Sequence, residues 1–142
     1  MYNKLDVISQ STQKEKNMSR IESFKRALAE KRAVKIIAGI DNFDVENVKK
    51  VVMAASNSGA SAIDICADTD IIAMVRQMTD LPLFVSSVVP QELAHAVILG
   101  ADAVELGNFD ALYKKGQTFT ASQVLELAKE TKELIGNDVF FC

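Results

Sequence analysis

The chain is poor in the residues that staple small folds. It holds two cysteines, Cys66 and Cys142, and one histidine, His95. In no metal-type spacing, these cannot assemble a common structural zinc site, and no metal is expected. Nor can two cysteines build a disulfide scaffold, so a reducing compartment is expected. A basic excess is also lacking: 16 Lys and Arg stand against 19 Asp and Glu, for a net charge of −3. That removes the dominant basic field on which nucleic-acid binding usually relies. No apolar run approaches the roughly 20 residues that cross a bilayer, and Met1 to Gln10 carry no secretory apolar core. No membrane partner is expected. G-x-G-x-x-G and G-x-x-x-x-G-K-[ST] are both missing, so the usual dinucleotide and phosphate-loop sites are absent and no cofactor is expected. What is present is 49% apolar content over 142 residues, enough for one domain with a sizeable core.

Residues 1–18 are polar and without apolar period, and read as a flexible leader before a domain over 19–142. Ser19 to Glu22 spell a capping box. Ile21, Phe24 and Leu28 follow at helical spacing, so a helix over about 19–31 is expected and Met18 is an alternative start. The pattern then alternates. Short strands are expected at Val34–Ala38, Ala62–Cys66, Leu83–Ser87, Ala103–Leu106 and Val139–Cys142. Between them run four helical stripes. The first, capped by Asp44, carries Val45, Val48, Val52 and Ala55 and stops at Gly59. The second carries Ile71, Met74, Val75 and Met78. The third opens at Pro90, carries Leu93, Val97 and Ile98, and stops at Gly100. The fourth follows a longer connection, Gly107 to Thr120, and a second capping box, Thr120 to Gln123. It carries Val124, Leu127, Ala128 and Leu134 and stops at Gly136.

An α/β fold of parallel (βα) units with right-handed crossovers follows, preceded by an N-terminal helix. Two architectures fit. One is an open flavodoxin-like sheet of order 2-1-3-4-5, which suits a signalling domain. The other is the first five strands of a TIM barrel, in sequential order. A receiver-type signalling domain needs an acceptor Asp at the end of strand three, where Ser86 and Ser87 stand. The last strand has no helix after it to cover it. The expected reading is therefore a partial (βα)8 barrel from a longer protein, with a half-barrel closed by dimerisation as the alternative. Self-association through open sheet edges is expected.

In such folds chemistry collects at the C-terminal ends of the strands. Three charges lie inside strands: Lys35, Asp64 and Glu105. A charge within an apolar strand is costly unless paired. If all three face the barrel interior they form one cluster, with Lys35 as Schiff-base amine or proton donor and a carboxylate as base. The alternative is a buried ion network with a structural role, which suits Lys35, early in its strand, better than Asp64 or Glu105. Asn-Phe-Asp occurs twice after strands, at 42–44 and 108–110. Both copies read as turn-and-cap devices with a buried Phe anchor. Alternatively Asn42 and Asn108, with Ser87 and Gly107, line a polar ligand-binding mouth. His95 lies within a helix and reads as scaffold. Cys66 reads as a small buried residue. Ser86 and Ser87 have no strand-end His to activate them. Lys114 and Lys115 read as a solvated basic spot.

Four segments carry a resemblance: Ala33 to Asp44, Ala62 to Ala67, Leu81 to Ser87 and Gly100 to Asp110. With Tyr113 and Gly116 behind the last of them, the chain from Met18 onward resembles the hypothetical chloroplast reading frame twenty-three family of cyanobacteria and algal plastids. The resemblance implies an aldolase-type TIM barrel of unassigned function, in a plastid stroma or a cyanobacterial cytoplasm. It brings no catalytic residues with it. It implies further strands beyond the five read here, including strands seven and eight, whose loops bind phosphate in such barrels. Two functions follow as expectations. One is a lyase- or isomerase-type enzyme acting on a small phosphorylated metabolite. The other is a non-catalytic interaction or regulatory protein on a barrel scaffold.

Overall fold

The computed structural model describes residues 20–107 and 109–142. The expected leader, Met18, Ser19 of the first capping box, and Asn108 lie outside the described residues. Helix α1 covers 20–29. It is followed by β1 (Lys35–Ile37), α2 (Val45–Asn57), β2 (Ala62–Cys66), α3 (Thr69–Met78), β3 (Leu83–Ser87) and α4 (Pro90–Ile98). Then come β4 (Ala103–Leu106), α5 (Asp110–Tyr113), α6 (Ala121–Ile135) and β5 (Phe140–Phe141). The short α5 falls in the longer connection from Gly107 to Thr120. The last strand is two residues long, shorter than the expected Val139–Cys142.

Local chemistry explains the helix starts. Asp44 accepts from the Asn47 backbone N–H at 3.0 Å, and Asp68 from those of Asp70 and Ile71 at 3.0 and 2.9 Å. Thr120 and Gln123 form both halves of a capping box. Pro90 sits in the first turn of α4, where its missing N–H costs nothing. Helix α1 ends on Lys31 with φ 57°, a left-handed position held by bonds from Lys31 N to Leu28 O and Arg32 N to Ala27 O. Gly59 holds the same place after α2.

All five strands are parallel and their order is β1-β2-β3-β4-β5. Neighbours in sequence are neighbours in the sheet, so the flavodoxin-like alternative, which needs β1 between β2 and β3, is overturned. Sequential right-handed crossovers place the connecting helices on one face, as in consecutive units of a (βα) barrel. Accordingly Val48 and Val52 of α2, Ile71 and Val75 of α3 and Ala96 of α4 pack on Ile63, Ile65, Leu83 and Val85. The opposite face presents Ala62, Phe84 and Ala103, and against it lie Ile21 and Phe24 of α1. Strands β2 and β3 are thus buried on both faces, and every residue of each is buried.

Five stripe residues face solvent instead: Leu28, Val45, Met78, Ile98 and Leu134. Ile98 is 81% exposed, and Ala96 takes the core position instead. Ala96 lies three residues after Leu93, on the same helix face, whereas Ile98 lies five after it and points away. Leu28 is 45% exposed although it lies four residues after Phe24, and Ala27, three after Phe24, is buried.

The N-terminal ends of the strands are pinned by a buried ion network. Both carboxylate oxygens of Asp102, ahead of β4, accept from Arg20 Nε of α1 at 2.9 and 3.0 Å. Oδ2 also accepts from Arg76 Nη1 of α3 and from the Leu83 backbone N–H opening β3, both at 2.8 Å. Arg76 Nη2 donates to the carbonyls of Thr79 and Leu81, each at 2.7 Å. One carboxylate therefore ties together α1, α3, β3 and β4.

Candidate functional site

Strand alternation puts Lys35, Asp64, Ser86 and Glu105 on the face opposite the helix layer. Register then brings them together. Ile37 pairs with Asp64, Asp64 with Phe84, and Ser86 with Glu105. The long side chain of Lys35 crosses this face. Its Nζ donates to Asp64 Oδ2 at 3.1 Å and to Glu105 Oε2. Ser86 Oγ donates to the other Asp64 oxygen at 2.7 Å. Beneath lies an aromatic floor. Phe24, Phe84 and Phe140 meet edge to face at 4.9, 5.8 and 5.9 Å, and Lys35 Nζ stands 4.8 Å from the Phe84 ring centre.

The three charges differ in access. The Asp64 side chain is 2% exposed, but Lys35 and Glu105 are 20% and 24% exposed, so solvent reaches one side of the cluster. Burial pushes the Asp64 carboxyl above its ordinary range, against the pull of the Ser86 hydroxyl and of Lys35. Burial alone draws Lys35 down. The bond to Glu105 and the charges of Asp64 and Glu105 outweigh it, and the net direction is up. Lys35 is thus held as an ammonium ion. A Schiff-base amine must be neutral, so this geometry suits charge stabilisation and proton donation instead.

The proposed mouth residues are placed otherwise. Asn42 Nδ2 donates to Ala38 O at 3.0 Å and to Asn47 Oδ1 at 2.8 Å, and its Oδ1 accepts from Asp44 N at 3.3 Å. Its side chain is committed to shaping the β1–α2 loop. Ser87 points to the helix layer, where its hydroxyl donates to Glu92 at 2.5 Å and accepts from Val89 N at 3.0 Å. Gly107 is buried, its N–H donating to Ser87 O at 3.3 Å, and Asn108 lies outside the described residues. The two Asn-Phe-Asp triplets diverge. Asp44 caps α2, but Phe43 is 59% exposed and not a buried anchor. Asp110 is the first residue of α5 and caps nothing, while Phe109 packs on Phe119 with ring centres 4.9 Å apart. A triplet in sequence carries no information on what its Phe will meet. His95 is exposed on α4, and Cys66 is buried with its thiol donating to Asn42 O at 3.2 Å.

Sequence reasoning missed Ser86 as a partner of Asp64 and the Arg20–Asp102–Arg76 network. Both depend on strand register or on contacts between distant elements, which no local pattern encodes. Among the described residues no group of three or more His, Cys, Asp or Glu is placed to hold a metal ion. No described helix is long and apolar enough to cross a membrane.

Comparison with known proteins places the chain. Residues 18–141 match a family described as "Protein of unknown function (DUF561)". "Uncharacterized protein ycf23" of Cyanophora paradoxa is 37% identical over 118 residues, covering 82% of this chain and 47% of the relative. Its counterpart in Pyropia yezoensis is 36% identical over 104 residues, covering 73% of this chain and 38% of the relative. That of Antithamnion sp. is 34% identical over 106 residues, covering 75% and 38%. These names denote a plastid hypothetical reading frame. The chain thus spans between about two fifths and half of the relatives' length. With a match from residue 18 to residue 141, the chain belongs to this ycf23 family of unknown function.

Proposed function

We propose that the chain forms the first five strands of an aldolase-type TIM barrel. The whole protein, on this reading, is a lyase- or isomerase-type enzyme acting on a small phosphorylated metabolite. The observation that carries the reading is the convergence of Lys35, Asp64 and Glu105, from three strands, on one partly open face. Glu105, the more exposed carboxylate, is the base: it takes a proton from carbon beside a carbonyl. The electron pair moves into the new C=C bond and the charge reaches the carbonyl oxygen. The Lys35 ammonium faces that oxygen and stabilises it. Asp64, fixed by Ser86, holds Lys35 in place. Because Lys35 is an ammonium, the isomerase half of the reading is the stronger. The compartment that fits the relatives is a plastid stroma or a cyanobacterial cytoplasm.

The test is deuterium incorporation. A full-length family member is incubated in D2O with dihydroxyacetone phosphate and with ribulose 5-phosphate, and the C–H signals are followed by proton NMR. Exchange that Glu105→Gln abolishes supports the reading. Exchange that survives Glu105→Gln, or no exchange with either ketose, overturns it. A second reading, a non-catalytic interaction scaffold, gains from the fact that no buried side-chain polar atom among the described residues lacks a partner. Under it the cluster is a satisfied structural network.

A further inference from the structure

The loops after β1 and β4 leave the sheet three strand spacings apart, about 14 Å. Yet Lys115, in the second loop, meets Asp41, in the first: Nζ and Oδ2 are 3.5 Å apart. The segment Phe109–Phe119 therefore reaches across the C-terminal ends of β2 and β3. A second observation places Asp41 there. Burial and the Asp68 carboxylate push the Cys66 thiol, at the end of β2, up to about 11, and the charge of Asp41 adds to the rise.

The segment is folded, not loose. Gly116 N donates to Tyr113 O at 3.0 Å and Gln117 N to Leu112 O at 3.1 Å. This pair of bonds closes a helix end around a left-handed residue, and Gly116 supplies it with φ 77°. The Phe109–Phe119 ring contact pinches the base. That base lies four residues from Glu105, so the segment roots beside the cluster.

We propose that Phe109–Phe119 is a strap across the mouth of the Lys35–Asp64–Glu105 site, and that the Lys115–Asp41 pair is its latch. The proposal deepens the site reading above and rests on it. The paired side chains are 56% and 44% exposed, so the latch is weak and opens readily. Salt weakens it further. An anionic group on an entering ligand, phosphate or carboxylate, competes with Asp41 for Lys115 and releases the strap as it binds.

Amide hydrogen exchange of residues 110–117, read by mass spectrometry on the full chain, tests this without a substrate. Asp41→Asn and Lys115→Gln are each expected to speed exchange about two- to threefold at low salt, the range of an exposed pair. In 0.5 M KCl the difference from wild type is expected to vanish. Lys114→Gln, at a residue with no ion pair among the described residues, is expected to change nothing. Exchange that is unchanged in Asp41→Asn, or that rises equally in Lys114→Gln, overturns the latch. Deuterium incorporation into the ketoses is read separately. Loss of the latch with incorporation intact removes the strap alone, and the converse removes the site alone.

Discussion

Asp102→Ala removes the carboxylate on which Arg20 and Arg76 converge. Its side chain is fully buried, and that of Arg20 is 8% exposed. Stripping one member from a buried ion network leaves charge without compensation, at about 3–5 kcal/mol. The Leu83 N–H also loses an acceptor, a further loss on the order of 1–3 kcal/mol that overlaps with the first. A net cost of about 4 kcal/mol is expected, against a total stability of roughly 5–15 kcal/mol. At about 3 °C per kcal/mol for a chain of this length, Tm falls by about 12 °C. Far-UV circular dichroism melts and urea titrations read this directly. A drop of less than about 1 kcal/mol refutes the reasoning. A companion variant separates charge from packing. Replacing the whole network, Arg20→Met with Arg76→Met and Asp102→Leu, is expected to regain most of the loss, because buried triads exchange for apolar side chains at little cost. The pKa of Asp102 points the same way. Burial pushes it above the ordinary value of 3.8, against the pull of Leu83 N–H and both arginines. A raised carboxyl binds its proton more tightly in the folded state. Its contribution is therefore fully present below the unfolded value and declines as pH rises through the folded one.

Other changes probe other parts. Lys31→Gly relieves a left-handed non-glycine residue at the end of α1, and should raise stability by about 1 kcal/mol in urea titrations. Lys35→Met leaves Asp64 and Glu105 facing each other without their shared cation. Stability at pH 7 should fall and then recover toward pH 4 as a carboxyl takes up a proton, which urea midpoints across that range will show. Cys66, with its thiol raised from 9.0 to about 11, releases its proton earlier in the unfolded chain. Stability should therefore fall between pH 9 and 11, and because burial raises the Cys142 thiol to about 11 as well, Cys66→Ala should lessen that slope and only Cys66→Ala with Cys142→Ala should remove it. Among the described residues no strand pairs with the outer edge of β1 or β5, so light scattering on this chain should find self-association that Ile37→Lys weakens.

Much of the fold was legible because each (βα) unit announces itself locally. Asp44, Thr120 with Gln123, and Pro90 open helices where their chemistry requires, and Gly59 closes one. All five strands lie where the short apolar runs pointed, the first and last of them shorter than expected. The choice of architecture was not local. Order β1-β2-β3-β4-β5 is a property of pairing, and the same alternation fits either order. Of the site, Lys35, Asp64 and Glu105 were visible as charges out of place in apolar strands. Their shared face was a conditional reading that only register could close. Ser86 was invisible as a partner, because serine ending a strand is unremarkable until Asp64 lies opposite. The bonds of Asn42 and Ser87 within their own loops were hidden for a related reason. A polar side chain at a strand end serves its own loop as readily as a ligand.

The way α1 closes on the sheet bears on how the chain is made. Every strand pairs with its predecessor, so each unit finds its partner soon after it leaves the ribosome. Helix α1 is the exception. Arg20 and Asp102 are 82 residues apart, and Phe24 also meets Phe84 and Phe140. At roughly 5–20 residues per second, Asp102 is synthesised about 4–16 s after Arg20. For that interval the apolar side of α1 lacks the Phe84 and Phe140 rings and the Asp102 carboxylate against which it finally packs. Helix α1, the first of the described helices, is thus among the last elements to dock. Weakening its contacts should speed unfolding more than it slows folding.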